Sequence, residues 1–109
     1  MSSPQTTLST SFVIKEDQIA AWLVEVEASI KELSKQKELV TIALSQDCDD
    51  KKKFNLLQMW SCSREALMAN MSASKDKLEA YETKTKPMWA ADRVYQFLEV
   101  KQLIRGTSA

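Results

Sequence analysis

Apolar residues recur along the first half of the chain at alternating gaps of four and three. Ile19, Leu23, Val26, Ile30, Leu33, Lys37, Val40 and Leu44 form the series, and all but Lys37 are apolar. Side chains at these intervals share one stripe of an α-helix, so the pattern predicts a helix over 15–46 with a heptad seam. A second series, Leu57, Trp60, Arg64, Leu67, Met71, Ser74, Leu78 and Tyr81, keeps the same intervals. Phe54, Leu56, Met59 and Met68 widen it, and it predicts a second helix over 50–83. Between the two, Asp47-Cys48-Asp49-Asp50 combines poor helix formers with good N-cap side chains. A turn is favoured there, although a continuous helix is also compatible with the residues.

Pro87 is the strongest stop signal. It suits the first turn of a third helix, over 87–105, with Gly106 as its C-terminal stop. Seven of the first eleven residues are Ser or Thr, and residues 1–13 read as a disordered tail; residues 107–109 form a second short tail. The expected fold is therefore all-α. A long, coiled-coil-like antiparallel hairpin carries a shorter third helix, and residues 14–106 make one domain.

Composition reinforces this expectation. One Gly, two Pro and no His occur among 109 residues. So few turn-forming residues argue against sandwiches, barrels and doubly wound sheets. Fifteen basic and fifteen acidic side chains cancel. They are unevenly placed, with residues 1–50 at net −5 and residues 51–109 at net +5. Opposite signs on facing helices favour antiparallel pairing, and they equally favour association between chains.

The chemistry-bearing residues are sparse. Asp47, Asp49 and Asp50 suggest a calcium loop, but its sixth and twelfth positions would be Lys52 and Gln58, where Gly and Glu are needed. Without His, a zinc site would rest on Cys48 and Cys62 alone, and neither thiol has a His to activate it. Lys51-Lys52-Lys53 reads as a solvated turn, and nucleic-acid binding is not expected. No cofactor or metal is implied and no enzyme is expected. The longest apolar run, Ile19 to Val24, is too short to insert in a membrane. With two unpaired thiols, it points to an intracellular protein, cytoplasmic or nuclear.

The expected function is a non-enzymatic interaction module, a helical adaptor or scaffold subunit of a larger assembly. The alternative is a small helical inhibitor, of viral or mobile-element type, that occludes a site on another protein. The partner is a protein, through a homodimer or a hetero-oligomer. Its contacts would fall on the uncovered seam at Val40 and Leu44. A patch on the third helix formed by Trp89, Val100 and Leu103 would add to them. Lys37, at a core position of the first seam, would snorkel to solvent or fix the register.

Overall fold

The computed structural model describes residues 3–104 and 106. It is not a helical bundle. Strand β1 (Thr6–Ile14) is followed by a single 3-10 turn and helix α1 (Ile19–Leu33). Strands β2 (Leu39–Gln46) and β3 (Lys53–Trp60) come next, then helices α2 (Arg64–Ala73) and α3 (Lys75–Thr85). A 3-10 turn over Lys86–Met88 leads into strand β4 (Trp89–Glu99). The strands form one antiparallel sheet in the order β2-β3-β1-β4. A four-stranded antiparallel sheet with three helices in this order is an α+β ferredoxin-like fold.

Most of the expected tail is thus the middle of the sheet. In β1, Leu8, Thr10, Phe12 and Ile14 alternate inward and are buried, while the Ser and Thr residues supply hydroxyls and β-branching that suit a pleated surface. Residues 1 and 2 lie outside the described residues, as do Arg105, where the third helix was to end, and the expected tail over 107–109. In β3, Phe54, Leu56, Gln58 and Trp60 are buried in strict alternation. This period of two, not the three–four series through Leu57 and Trp60, decides the segment, because a strand sends Leu57 and Trp60 to opposite faces.

Only the first half of the first seam is helical. Ile19, Leu23, Val26, Ile30 and Leu33 lie on α1 and turn toward the interior, but they meet the sheet, not a second helix. The helix ends at Ser34, whose N–H bonds the Ile30 carbonyl and whose hydroxyl bonds that of Lys31. Lys37 is exposed in the turn that follows, so it is neither a core nor a register position. Val40 and Leu44 lie on the edge strand β2, both half-buried. The expected third helix is β4, with Pro87 inside the 3-10 turn that precedes it.

The shortage of Gly does not obstruct the sheet. Among the described residues none has a positive φ. The β2–β3 hairpin turns through residues 47–52, where the Asp47 carboxylate accepts the N–H groups of Asp49 and Asp50 at 2.8 and 2.9 Å. Both remaining reversals are made by helices. A scarcity of Gly excludes two-residue hairpins, not sheets in general.

Candidate functional site

The three helices cover one face of the sheet, and the interior between them has two parts. One is aromatic: Phe12, Trp22, Phe54 and Trp89, with Ile14, Val26 and Leu56, form a closed cluster. The other contains a cavity of about 160 Å³. Its floor comes from β1 and β3 through Leu8, Thr10, Leu56 and Gln58, and its roof from Val26, Leu33, Met71 and Leu78 on the helices. A second lobe of about 120 Å³ shares Leu8, Leu33, Gln58, Met71 and Leu78 and runs toward Asn70 and Ser74.

Six side chains with polar groups line the larger lobe: Thr10, Ser29, Gln58, Tyr81, Arg93 and, more exposed, Tyr95. Thr10 and Gln58 are themselves buried. Gln58 Oε1 accepts the Trp60 indole N–H at 3.1 Å. Burial pushes the Tyr81 phenol up to about 12; Arg93 and Ser29 draw it down by less, and Glu25 adds to the rise. It is therefore a neutral hydroxyl at ordinary pH. Arg93 sits at the mouth, bonded to Glu82 at 3.0 Å, with its guanidinium carbon 5.4 Å from the Trp89 ring and 6.0 Å from that of Tyr95. A second ion pair, Lys84 with Glu25 at 3.0 Å, ties α3 to α1 along the same rim.

The arrangement can hold a small apolar body and meet its polar edge with hydroxyls, an amide and a cation. Among the described residues no group of three or more Cys, Asp or Glu could hold a metal ion. The Asp47 and Asp50 carboxylates instead accept backbone N–H groups of their own turn. Among the described residues no helix is long and apolar enough to cross a membrane.

The residues expected to bind a partner do not assemble. Trp89 is core, Val100 follows the far end of β4 with its N–H bonded to the Gln5 carbonyl, and Leu103 is exposed beyond it. About 35 Å of extended strand separates Trp89 from Val100, so the helical stripe that joined them does not exist. Val40 lies at an irregularity in the β2–β3 pairing, and Leu44 packs on the aromatic cluster. Of the seam residues, Val26 and Leu33 from the first series and Met71, Leu78 and Tyr81 from the second do line the cavity. Tyr81 was read only as the last apolar position of the second series, and Thr10, Ser29, Gln58 and Arg93 were not singled out by the sequence as binding residues. Only Gln58 left a signal, as the one polar member of the alternating row Phe54, Leu56, Gln58, Trp60. The adaptor, scaffold and coiled-coil readings, and the helical inhibitor with them, rested on helix faces that are absent, and they fall with the bundle.

No protein-family model and no curated protein matches the sequence. Solved structures do match. A candidate antibiotic biosynthesis monooxygenase from Deinococcus radiodurans superposes with a TM-score of 0.79 at 10% identity, covering 94% of this chain and 99% of that one. A protein of the same description from Nitrosomonas europaea gives 0.76 at 12% identity, covering 91% and 93%. Rv0793 from Mycobacterium tuberculosis gives 0.74 at 18% identity, covering 96% and 100%. What this chain has in common with these proteins is the fold.

Proposed function

We propose that the chain binds a small, largely apolar, ring-bearing molecule in the cavity between sheet and helices, and acts on it in a monooxygenase-like way. The observation that carries the binding reading is the cavity itself. A void of about 160 Å³ is close to the ~150 Å³ that accepts benzene in an engineered apolar cavity. Polar atoms at its wall supply the orientation that specific sites use. The names of the structural neighbours support the second half, and they replace the expectation of a protein without enzymatic activity.

A hydroquinone is the probe for turnover, because it carries the two electrons needed to release the second oxygen atom as water. Hydroquinone plus O2 then gives hydroxyquinone plus water, with no external reductant. Titration of the protein with 1,4-naphthohydroquinone under nitrogen tests binding. Admission of oxygen tests turnover, read as hydroxyquinone formed above the uncatalysed background. Saturable binding that is lost in Val26→Phe, which fills the cavity, supports the site. Binding without hydroxyquinone removes the monooxygenase half and leaves a binding protein.

The expected protein partner moves with the fold to the uncovered face of the sheet, where a second copy of this chain suits it. Val94 and Leu98 on that face are 65% and 46% exposed, beside half-buried Leu57, Met59 and Val13. Ser9, Ser11, Asn55 and Gln96 fill the rows between without a charge, and Lys53 beside Val13 stands at one end, so two such faces can meet about a two-fold axis with the Lys53 ends at the rim. Sedimentation equilibrium is expected to give a dimer, and Val94→Asp with Leu98→Asp to give a monomer with an unchanged circular dichroism spectrum. A monomeric wild type overturns this assignment.

A further inference from the structure

Gln58 is 7% exposed, and only one end of its amide is accounted for. The Trp60 indole N–H is a donor and nothing else, so the atom it meets at 3.1 Å must be the amide oxygen. Gln58 Nε2 has no hydrogen-bond partner among the described residues, yet it is not among the fully enclosed, unpartnered side-chain atoms. It therefore borders open space, and Gln58 lines both lobes of the cavity. Trp60, 2% exposed, cannot turn away without breaking its own packing against Leu8, Cys62 and Leu67.

We infer that Trp60 is a positioning residue which locks the Gln58 amide with its NH2 toward the cavity, so that the site selects ligands presenting a hydrogen-bond acceptor, a carbonyl or phenolate oxygen. This rests on the cavity being a binding site. Thr10, Ser29, Tyr81 and Tyr95 carry hydroxyls that donate or accept and so favour neither ligand type. The two groups of fixed polarity at the wall are the held Gln58 amide and the Arg93 guanidinium, and both donate. A ligand that offers only a donor leaves the Gln58 NH2 unpaired, and a buried, unpaired amide is costly.

Three bicyclic probes of one size separate the cases: 1-indanone offers an acceptor, indole a donor, and indane neither. Wild-type protein is expected to bind indanone about threefold to tenfold more tightly than indane, with indole no tighter than indane. Trp60→Phe keeps a ring and removes the indole N–H, so the amide turns freely and the preference of indanone over indole collapses toward unity. Gln58→Leu is expected to bind all three with similar affinity. In the wild type, nuclear Overhauser contacts between the Gln58 side-chain amide protons and bound indanone give a readout that needs no variant. If none of the three probes binds, the cavity reading fails and this inference with it. If they bind but indole matches indanone, or if Trp60→Phe folds and keeps the wild-type preference, the cavity stands and the orienting role of Trp60 is overturned.

Discussion

β1 and β3 run side by side beneath both parts of the interior, and the two parts are filled in opposite ways. At one end Phe12 and Phe54 close on Trp22, with ring centroids 5.1 and 4.7 Å away, and Trp89 stands 6.2 Å from Phe12. One inward position further along β1 the residue is Thr10, and two positions along β3 it is Gln58; there the closed packing of rings gives way to the cavity, which Tyr81 and Tyr95 border. The aromatic end even leaves the indole N–H groups of Trp22 and Trp89 buried with no partner among the described residues. Each such group costs about 1–3 kcal/mol. A buried ring of this size returns about 4–6 kcal/mol from the area it removes from water, so packing wins. The cavity end gives up that return and keeps polar atoms free to meet something else. Stability and the proposed binding thus occupy different stretches of the same two strands, about 7 Å apart.

Substitutions can break this division. Trp22→Ala is expected to have the largest effect, about 3–5 kcal/mol of lost stability. Thermal denaturation followed by circular dichroism would show a midpoint at least ~12 °C lower, or no folded baseline. A drop under about 1 kcal/mol would show that the aromatic end is not where the fold is held. Thr10→Val works in the opposite direction. It keeps the shape and removes a buried hydroxyl that has no side-chain partner among the described residues. Stability is expected to rise by about 1 kcal/mol, measured by urea unfolding. A fall would mean the hydroxyl is already satisfied.

Alkaline pH probes the rim of the cavity. Burial raises the Tyr81 phenol from 10.0 to about 12. Below pH 10 the phenol is protonated in both folded and unfolded chains, and its contribution is fully present. Between pH 10 and about 12 the unfolded chain ionises first, binds fewer protons, and stability falls with rising pH. Tyr81→Phe is expected to flatten that limb when melting temperatures are compared across the window, and an unchanged slope would place the phenol in solvent. Glu82→Gln is expected to have the smallest effect. It breaks the half-exposed ion pair with Arg93 and costs roughly 0.5 kcal/mol. Its clearer readout is faster probe dissociation in stopped-flow mixing, because the guanidinium at the cavity mouth loses its tether.

The sequence carried the inward face of α1 correctly, from Ile19 through Leu33, but not what that face meets. A stripe of apolar residues looks the same whether a helix or a sheet lies beneath it. β3 was only partly legible: Phe54, Asn55 and Leu56 alternate, but Leu57 and Met59 are apolar at outward positions and Gln58 is polar at an inward one, so the competing three–four series through Leu57 and Trp60 hid it. β1 was hidden by composition, because Thr and Ser serve a strand interior as readily as a loose tail. The site was less legible still. Thr10, Ser29, Gln58, Tyr81 and Arg93 come from five different elements. Only the crossing of α1 and α3 over the sheet brings them together. No spacing along the chain encodes that meeting.

The position of β1 in the sheet has a consequence for synthesis. Its partners are β3 and β4, and Thr6 pairs with Glu99, roughly ninety residues later. At about 5–20 residues per second, the first strand leaves the ribosome some 5–20 seconds before its last partner exists. Throughout that interval it has an open edge and carries Leu8, Phe12 and Ile14. Five of its nine residues are Ser or Thr. With no charge, Pro or Gly, the strand has the composition of a segment that stacks with its own copies, and Ser9 and Ser11 on its outer face are the polar positions that lower that tendency. The hydroxyls that made the segment look dispensable are thus its one restraint on self-association while it waits.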